Sequence, residues 1–195
     1  MQPFQRDFIE FSLKNKALQL GEFTLKSGRK SPYFFNTGVF CTGETLSALA
    51  QFYQNAIQYH GFTFDCLVGP AYKGIPLVSA VSCIRALQHG EPTPFAFNRK
   101  EAKNHGEGGQ WVGTALAGQR VLLLDDVITA GTAVRELLPL LKQAGAILTG
   151  ILVALDREEK NNEGRPALAA LSQTLQVKVA SIIRFSDIQE YTCEP

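Results

Sequence analysis

The chain has 195 residues, 45% hydrophobic and 19% charged, and its 19 lysines and arginines against 18 acids leave a net charge of +1. That length and composition suit one globular domain with a sizeable core, and the near-neutral balance excludes a general nucleic-acid or membrane-surface partner. No apolar run approaches a bilayer span, Met1–Asp7 has no signal-peptide core, and Cys41, Cys66, Cys83 and Cys193 lack metal-type spacing, so reduced thiols and a cytoplasmic setting are expected.

Pro3 opens the first predicted helix, where Phe4, Phe8, Phe11 and Ala17-Leu18 recur at near-helical spacing. From Phe23 to Gly38 two β-prone runs flank a polar turn around Gly28, a hairpin pattern in which Pro32 marks an edge strand. Lys26, Arg29 and Lys30 precede an aromatic run. They suit either a solvated turn or a lid over a flat anionic ring. Thr42 caps a second helix with an apolar face of Leu46, Leu49, Tyr53, Ala56 and Ile57, and Gly61 ends it. Asp65–Val68 then reads as a short buried strand running into Gly69-Pro70-Ala71-Tyr72-Lys73-Gly74 and a helix to about Leu87. In that turn Lys73 is either an exposed loop lysine or a point charge for a pyrophosphate.

Phe95-Ala96-Phe97 is a short strand. Beyond it, residues 98–109 have little to bury and carry Arg99, Lys100, Lys103 and His105 among three glycines. Such a loop is expected to be mobile when empty, serving either as a solvated linker or as a cationic lid that excludes water. Trp111 just beyond reads as a packing residue.

The central stretch is Val121–Ala133. Four aliphatic residues form a strand apolar on both faces, Asp125 and Asp126 follow, and Thr129-Ala130-Gly131-Thr132-Ala133 turns into a helix from Val134. An open helix start offers unpaired N–H groups, Gly131 permits close approach, and the threonines add hydroxyls, so a phosphate can bind without a lysine. The acid pair repels phosphate and suits sugar hydroxyls or a divalent cation. Against this stands a solvated Asp-Asp turn followed by an ordinary helix cap. Pro139 should kink the following helix, which Gly145 closes. Ile147–Leu155 is another strand, ending in Asp156-Arg157. Arg157 there faces the crevice of an open sheet, either to take a carboxylate or to pair with Glu158 or Glu159. A polar tract to Arg165, a helix over Pro166–Leu175, a strand over Val177–Ile183 and a short helical tail complete the pattern. Alternating helices and aliphatic strands predict a parallel α/β sheet with right-handed crossovers, and the turns at 69–74, 125–133 and 156–157 fall on one sheet edge.

The run from Val121 to Ala133 closely resembles the phosphoribosyl pyrophosphate signature of the type I phosphoribosyltransferase family. Lys26-Ser27-Gly28-Arg29-Lys30-Ser31-Pro32-Tyr33-Phe34-Phe35-Asn36 and Arg99-Lys100-Glu101-Ala102-Lys103-Asn104-His105-Gly106-Glu107 resemble the hood and catalytic loop of its bacterial orotate branch, and the likeness extends over essentially the whole chain. The resemblance implies an open parallel-sheet α/β fold with a small N-terminal hood, in one domain over residues 1–195. The hood would span about 20–40 and a mobile catalytic loop about 98–110. It implies transfer of ribose 5-phosphate from phosphoribosyl pyrophosphate to orotate in pyrimidine biosynthesis. The donor would be bound by Lys26, Tyr72, Lys73, Arg99, Lys100, Lys103, His105, Asp125, Asp126, Val127, Ile128, Thr129, Ala130, Gly131, Thr132 and Ala133. Orotate would meet Phe34, Phe35, Thr129 and Arg157, and the catalytic set would be Lys103, Lys73, Lys100, Asp125 and Asp126. Mg²⁺ would be held mainly through the substrate's pyrophosphate and ribose, without a dedicated protein ligand set. A homodimer is implied, with Arg99, Lys103 and His105 supplied across the interface. The chain stops at Pro195, about one helix earlier than many relatives, which leaves the expected C-terminal packing and its share of the dimer open. A purine-base phosphoribosyltransferase would keep the central motif but has no use for Lys26, Phe34-Phe35 and Arg157. A non-catalytic sensor of phosphoribosyl pyrophosphate usually carries a DNA-binding module, for which there is neither spare length nor a basic helix.

Overall fold

The computed structural model describes residues 1–24, 28, 30–103, 109–128, 132–160 and 164–193, with Ala102, Lys103, Thr132 and Ala133 entering as backbone only. Helix α1 (Pro3–Lys14) opens on proline, with Gln2 and Gln5 capping each other's backbone. It stops before the Ala17-Leu18 pair that its spacing seemed to include. Asn15 Nδ2 donates to the Phe11 carbonyl at 2.8 Å, and Lys16 turns left-handed at φ 58°. Strand β1 (Leu18–Thr24) therefore starts earlier than the hairpin pattern suggested, pairing antiparallel with β2 (Lys30–Phe35). The ladder skips between Leu20 and Phe23, beside Pro32, which has no N–H to donate.

Helix α2 (Gly43–His60) starts at a Thr42–Thr45 capping box and ends on Gly61 at φ 62°. Next come β3 (Cys66–Gly69), α3 (Gly74–His89), β4 (Phe95–Lys103) and β5 (Gly109–Gly113). Asn98–Lys103 belong to a strand, where a loop was expected from composition. Pairing with β5, through Asn98↔Trp111 and Lys103↔Gly109, supplies the order that apolar burial does not. Strand β6 (Arg120–Ile128), α4 (Thr132–Gln143), β7 (Ile147–Asp156), α5 (Ala167–Leu175), β8 (Lys178–Arg184) and α6 (Phe185–Cys193) follow, and α4 runs through Pro139.

The main sheet has the order β5-β4-β3-β6-β7-β8, parallel except for β5 at its edge. Strand β6 is buried on both sides, as its aliphatic run predicts. Leu122 and Leu124 join the core shared with α1, α2, α3 and α6, whereas Val121 and Leu123 join the core under α4 and α5. Trp111 packs at the margin of the second core. Chain order reverses between β3 and β6, since β4 lies on one side of β3 and β6–β7 on the other. The carboxyl ends of strands flanking such a reversal form the crevice where open α/β sheets bind ligands. Among the described residues, no helix is long and apolar enough to cross a membrane.

Candidate active site

Two strand ends flank that crevice. At the end of β3, the turn from Gly69 to Gly74 folds back on itself, with the Gly74 N–H donating to the Pro70 carbonyl at 2.9 Å. A Cβ on Gly74 would lie 2.6 Å from Pro70 Cδ and 2.7 Å from the Gly69 carbonyl carbon, so only glycine fits the return. The Ala71–Tyr72 peptide is cis. From the neighbouring hairpin, Asn98 Oδ1 accepts from the Ala71 N–H at 2.9 Å and fixes the turn against β4. Lys73 emerges from it to place Nζ 2.6 Å from Asp126 Oδ2 and 3.3 Å from Asn36 Oδ1.

At the end of β6, the Asp126 carboxylate is fully engaged. Its Oδ1 accepts from the Val127 N–H at 2.8 Å, and Oδ2 accepts from the Thr37 hydroxyl at 3.2 Å besides Lys73. Asp125 is only 7% exposed, and its Oδ1 accepts from the Asp126 N–H at 2.9 Å. Burial, reinforced by the Asp126 charge beside it, pushes the Asp125 carboxyl up to about 7. Asp126 is thus paired with a lysine, and its neighbour Asp125 holds or releases a proton near neutrality.

Arg157 lies one strand further on, just past β7, whose Asp156 pairs with Ile128 of β6. Its Nε donates to Glu159 Oε1 at 2.8 Å, Nη2 donates to Ser31 Oγ at 3.3 Å, and the guanidinium carbon sits 4.8 Å from the centre of the Tyr33 ring. The Asp156 carboxylate accepts from the Glu158 N–H at 2.8 Å, and Glu158 caps α6 by accepting from the Ser186 N–H at 2.7 Å. The hood is therefore tied to the sheet twice, by Ser31 and Tyr33 at Arg157 and by Asn36 and Thr37 at the Lys73–Asp126 pair. The carboxyl ends of β3, β6 and β7, from which the three turns picked out in the sequence leave, lie at one sheet edge.

The predicted aromatic pair behaves differently. Strand alternation puts Phe34 and Phe35 on opposite faces of β2. Phe35 is buried, its ring 6.3 Å from Phe8, whereas Phe34 is 38% exposed beside Phe23. They do not form one wall within this chain. Lys100 Nζ stands 5.4 Å from the centre of the exposed Tyr72 ring, and Arg99 Nη1 donates to the Gly109 carbonyl at 3.1 Å across the base of the loop. Val127 and Ile128 complete β6, and Ile128 is buried. Lys26, His105, Thr129, Ala130 and Gly131 lie outside the described residues. Lys103 closes β4, and Thr132 and Ala133 open α4 as backbone. Thr37 and Asn98 were missed as site residues, Ser31 and Asn36 lie inside the hood motif without having been singled out, and Glu159 was named only as one of two possible partners for Arg157.

A family profile described as "Phosphoribosyl transferase domain" matches residues 42–183. An orotate phosphoribosyltransferase from Shigella sonnei is 52% identical over 191 residues, spanning 98% of this chain and 89% of that protein. The chain belongs to the orotate phosphoribosyltransferases. The crystal structure of the orotate phosphoribosyltransferase from Francisella tularensis superposes with a TM-score of 0.88 at 45% identity, over 97% of this chain and 91% of that one. The fold extends to the Mycobacterium tuberculosis orotate phosphoribosyltransferase in complex with phosphoribosyl pyrophosphate, at a TM-score of 0.71 and 16% identity. The β1–β2 hood falls before the span of the general domain profile and inside both of these matches.

Proposed function

We propose that this chain transfers the ribose 5-phosphate group of phosphoribosyl pyrophosphate to orotate, giving orotidine 5′-monophosphate and pyrophosphate in the pyrimidine pathway. The observation that carries this reading is the Lys73–Asp126 pair at the β3/β6 reversal with Arg157 at the adjacent strand end. A pyrophosphate-binding cation, sugar-binding acids and a carboxylate-binding guanidinium would need such neighbouring strand ends, which supports the reading. The C1–N1 bond to orotate forms with inversion as the C1–O bond breaks. The electron pair leaves with pyrophosphate, and N1 gives up its proton. Positive charge builds on the ribose and negative charge on the leaving group.

In this scheme Asp125 and Asp126 hold the ribose hydroxyls, and Thr129–Ala133 anchor the 5′-phosphate at the start of α4. Lys73 and Lys100, with Arg99, Lys103 and His105 of a second subunit in a homodimer, stabilise the departing pyrophosphate. Arg157 and the hood orient orotate. Mg²⁺ fits this donor chemistry, since the donor's pyrophosphate and ribose would supply most of its hard-oxygen shell beside the Asp125–Asp126 pair. When bound, it would neutralise charge developing on the leaving group. A cytoplasmic setting is supported by four free cysteines, of which Cys66 is buried with its thiol pushed by that burial up to about 11.

The test supplies Mg²⁺ and phosphoribosyl pyrophosphate with orotate, adenine or hypoxanthine in turn and follows ultraviolet absorbance. Consumption of orotate alone supports the reading. Turnover of a purine, or of nothing, overturns it. Lys103→Ala should cut kcat about tenfold or more while leaving the KM for orotate within about twofold. Mixing Lys103→Ala with Asp126→Ala subunits should then restore activity, because one site of the heterodimer keeps both side chains. Equal losses in kcat and orotate affinity, or failure to complement, contradict a leaving-group role across an interface.

A further inference from the structure

We propose that Tyr53 is a positioning residue for the donor-binding acids, its hydroxyl fixing the peptide between Asp125 and Asp126. The buried face of α2 carries this side chain, fully buried, beneath the end of β6, where its hydroxyl donates to the Asp125 carbonyl oxygen at 2.6 Å. The N–H of the same peptide donates to Asp125 Oδ1 at 2.9 Å. Both polar groups of one peptide are thereby gripped by side chains, and its plane sets the direction in which the Asp126 carboxylate leaves the backbone.

Packing does not duplicate this hold on the neighbouring side. A cavity of about 300 Å³ lies there, with Phe40, Leu46, Leu49 and Leu77 on its apolar wall and Tyr53, Lys73 and Asp126 at its polar end. The hydroxyl acts where surrounding groups are apolar and hydrogen bonds are strong. Burial, with the Asp126 and Asp125 charges nearby, pushes the phenol well above its ordinary value, so it remains a donor across the working pH range. The reach is long in sequence, from Tyr53 to Asp125, and short in space.

The inference rests on the proposed role of Asp126 in gripping the donor, and the experiment separates the two. Tyr53→Phe keeps the ring and removes only the hydroxyl. We expect the KM for phosphoribosyl pyrophosphate to rise about fivefold, the scale of one buried hydrogen bond, with the KM for orotate unchanged. In an Asp126→Ala background the same substitution should add nothing to the donor KM, because Tyr53 acts through that carboxylate. If Asp126→Ala alone leaves the donor KM unchanged, the donor-site reading fails. If Asp126→Ala raises it and Tyr53→Phe does not, the positioning role fails. An equal rise for both substrates, an additive effect in the double variant, or a Tyr53→Phe chain that does not fold would each make Tyr53 a structural residue and overturn the proposal.

Discussion

Asp126→Ala should lower kcat/KM for phosphoribosyl pyrophosphate by about two to three orders of magnitude, the range for removing one pre-arranged electrostatic contact from a reacting centre. The wild-type carboxylate gathers the Val127 N–H, the Thr37 hydroxyl and Lys73 at one point. The substitution therefore removes the carboxylate proposed to hold the ribose and also releases Lys73 and the hood residue Thr37. Fold stability should barely change, because the Lys73 side chain is 53% exposed and water can solvate its freed charge. The expected signature is a folded protein with near-normal orotate affinity and a collapsed donor term. Steady-state kinetics with each substrate varied, alongside thermal unfolding, read this directly. A donor KM and kcat both close to wild type would show that Asp126 is only a partner for Lys73.

Asp125→Asn should give the opposite pattern in stability, a variant more stable than wild type at pH 8 and similar to it below about pH 4. The Asp125 carboxyl lies at about 7 in the folded chain against 3.8 for a solvated aspartate, with burial as the main cause. Between those values the folded protein keeps a proton that the unfolded chain has released, so stability falls as pH rises through that window and levels off above about 7. At a little over 1 kcal/mol per pH unit, the ceiling on this loss is a few kcal/mol. Asparagine presents the donor and acceptor pattern of the protonated acid and can still accept from the Asp126 N–H. It keeps the geometry and removes the titration. Thermal midpoints of the two proteins should diverge from about pH 4 to 7 and keep a constant gap above that. Parallel curves across that window would mean that Asp125 titrates alike in the folded and unfolded chain. Catalysis should suffer under the proposed scheme, in which the ionised carboxyl holds the ribose.

The motifs of this site, and the convergence of their strand ends on one sheet edge, were legible in the sequence; which side chains would touch was not. Four aliphatic residues before Asp125-Asp126 identify a buried strand because nothing else in water needs such a run. Gly69 and Gly74 identify a tight return. Which strands lie side by side depends on packing choices spread over the whole chain. Lys73 and Asp126 are 53 positions apart and become partners only because β3 and β6 are neighbours. The same holds for Arg157 and Ser31, 126 positions apart. Element boundaries failed where hydrogen-bond pairing, rather than burial, decided structure. The charged segment Asn98–Lys103 has no apolar alternation, yet β5 draws it into the sheet. Phe34 and Phe35 show how strand alternation divides a sequence pair: the extended backbone buries Phe35 against Phe8 and leaves Phe34 exposed beside Phe23.

The contacts around Arg157 bear on the order in which the protein matures. The acid pair and Lys73 depend on β3, β6 and the preceding hood, all of which leave the ribosome before β7. Arg157 is backed by Tyr33, whose ring stacks 5.0 Å from Phe185 at the start of α6, and its neighbour Glu158 caps that helix at Ser186. The backing of Arg157 is therefore drawn from both ends of the chain, the hood and α6, and is complete only with that C-terminal helix in place.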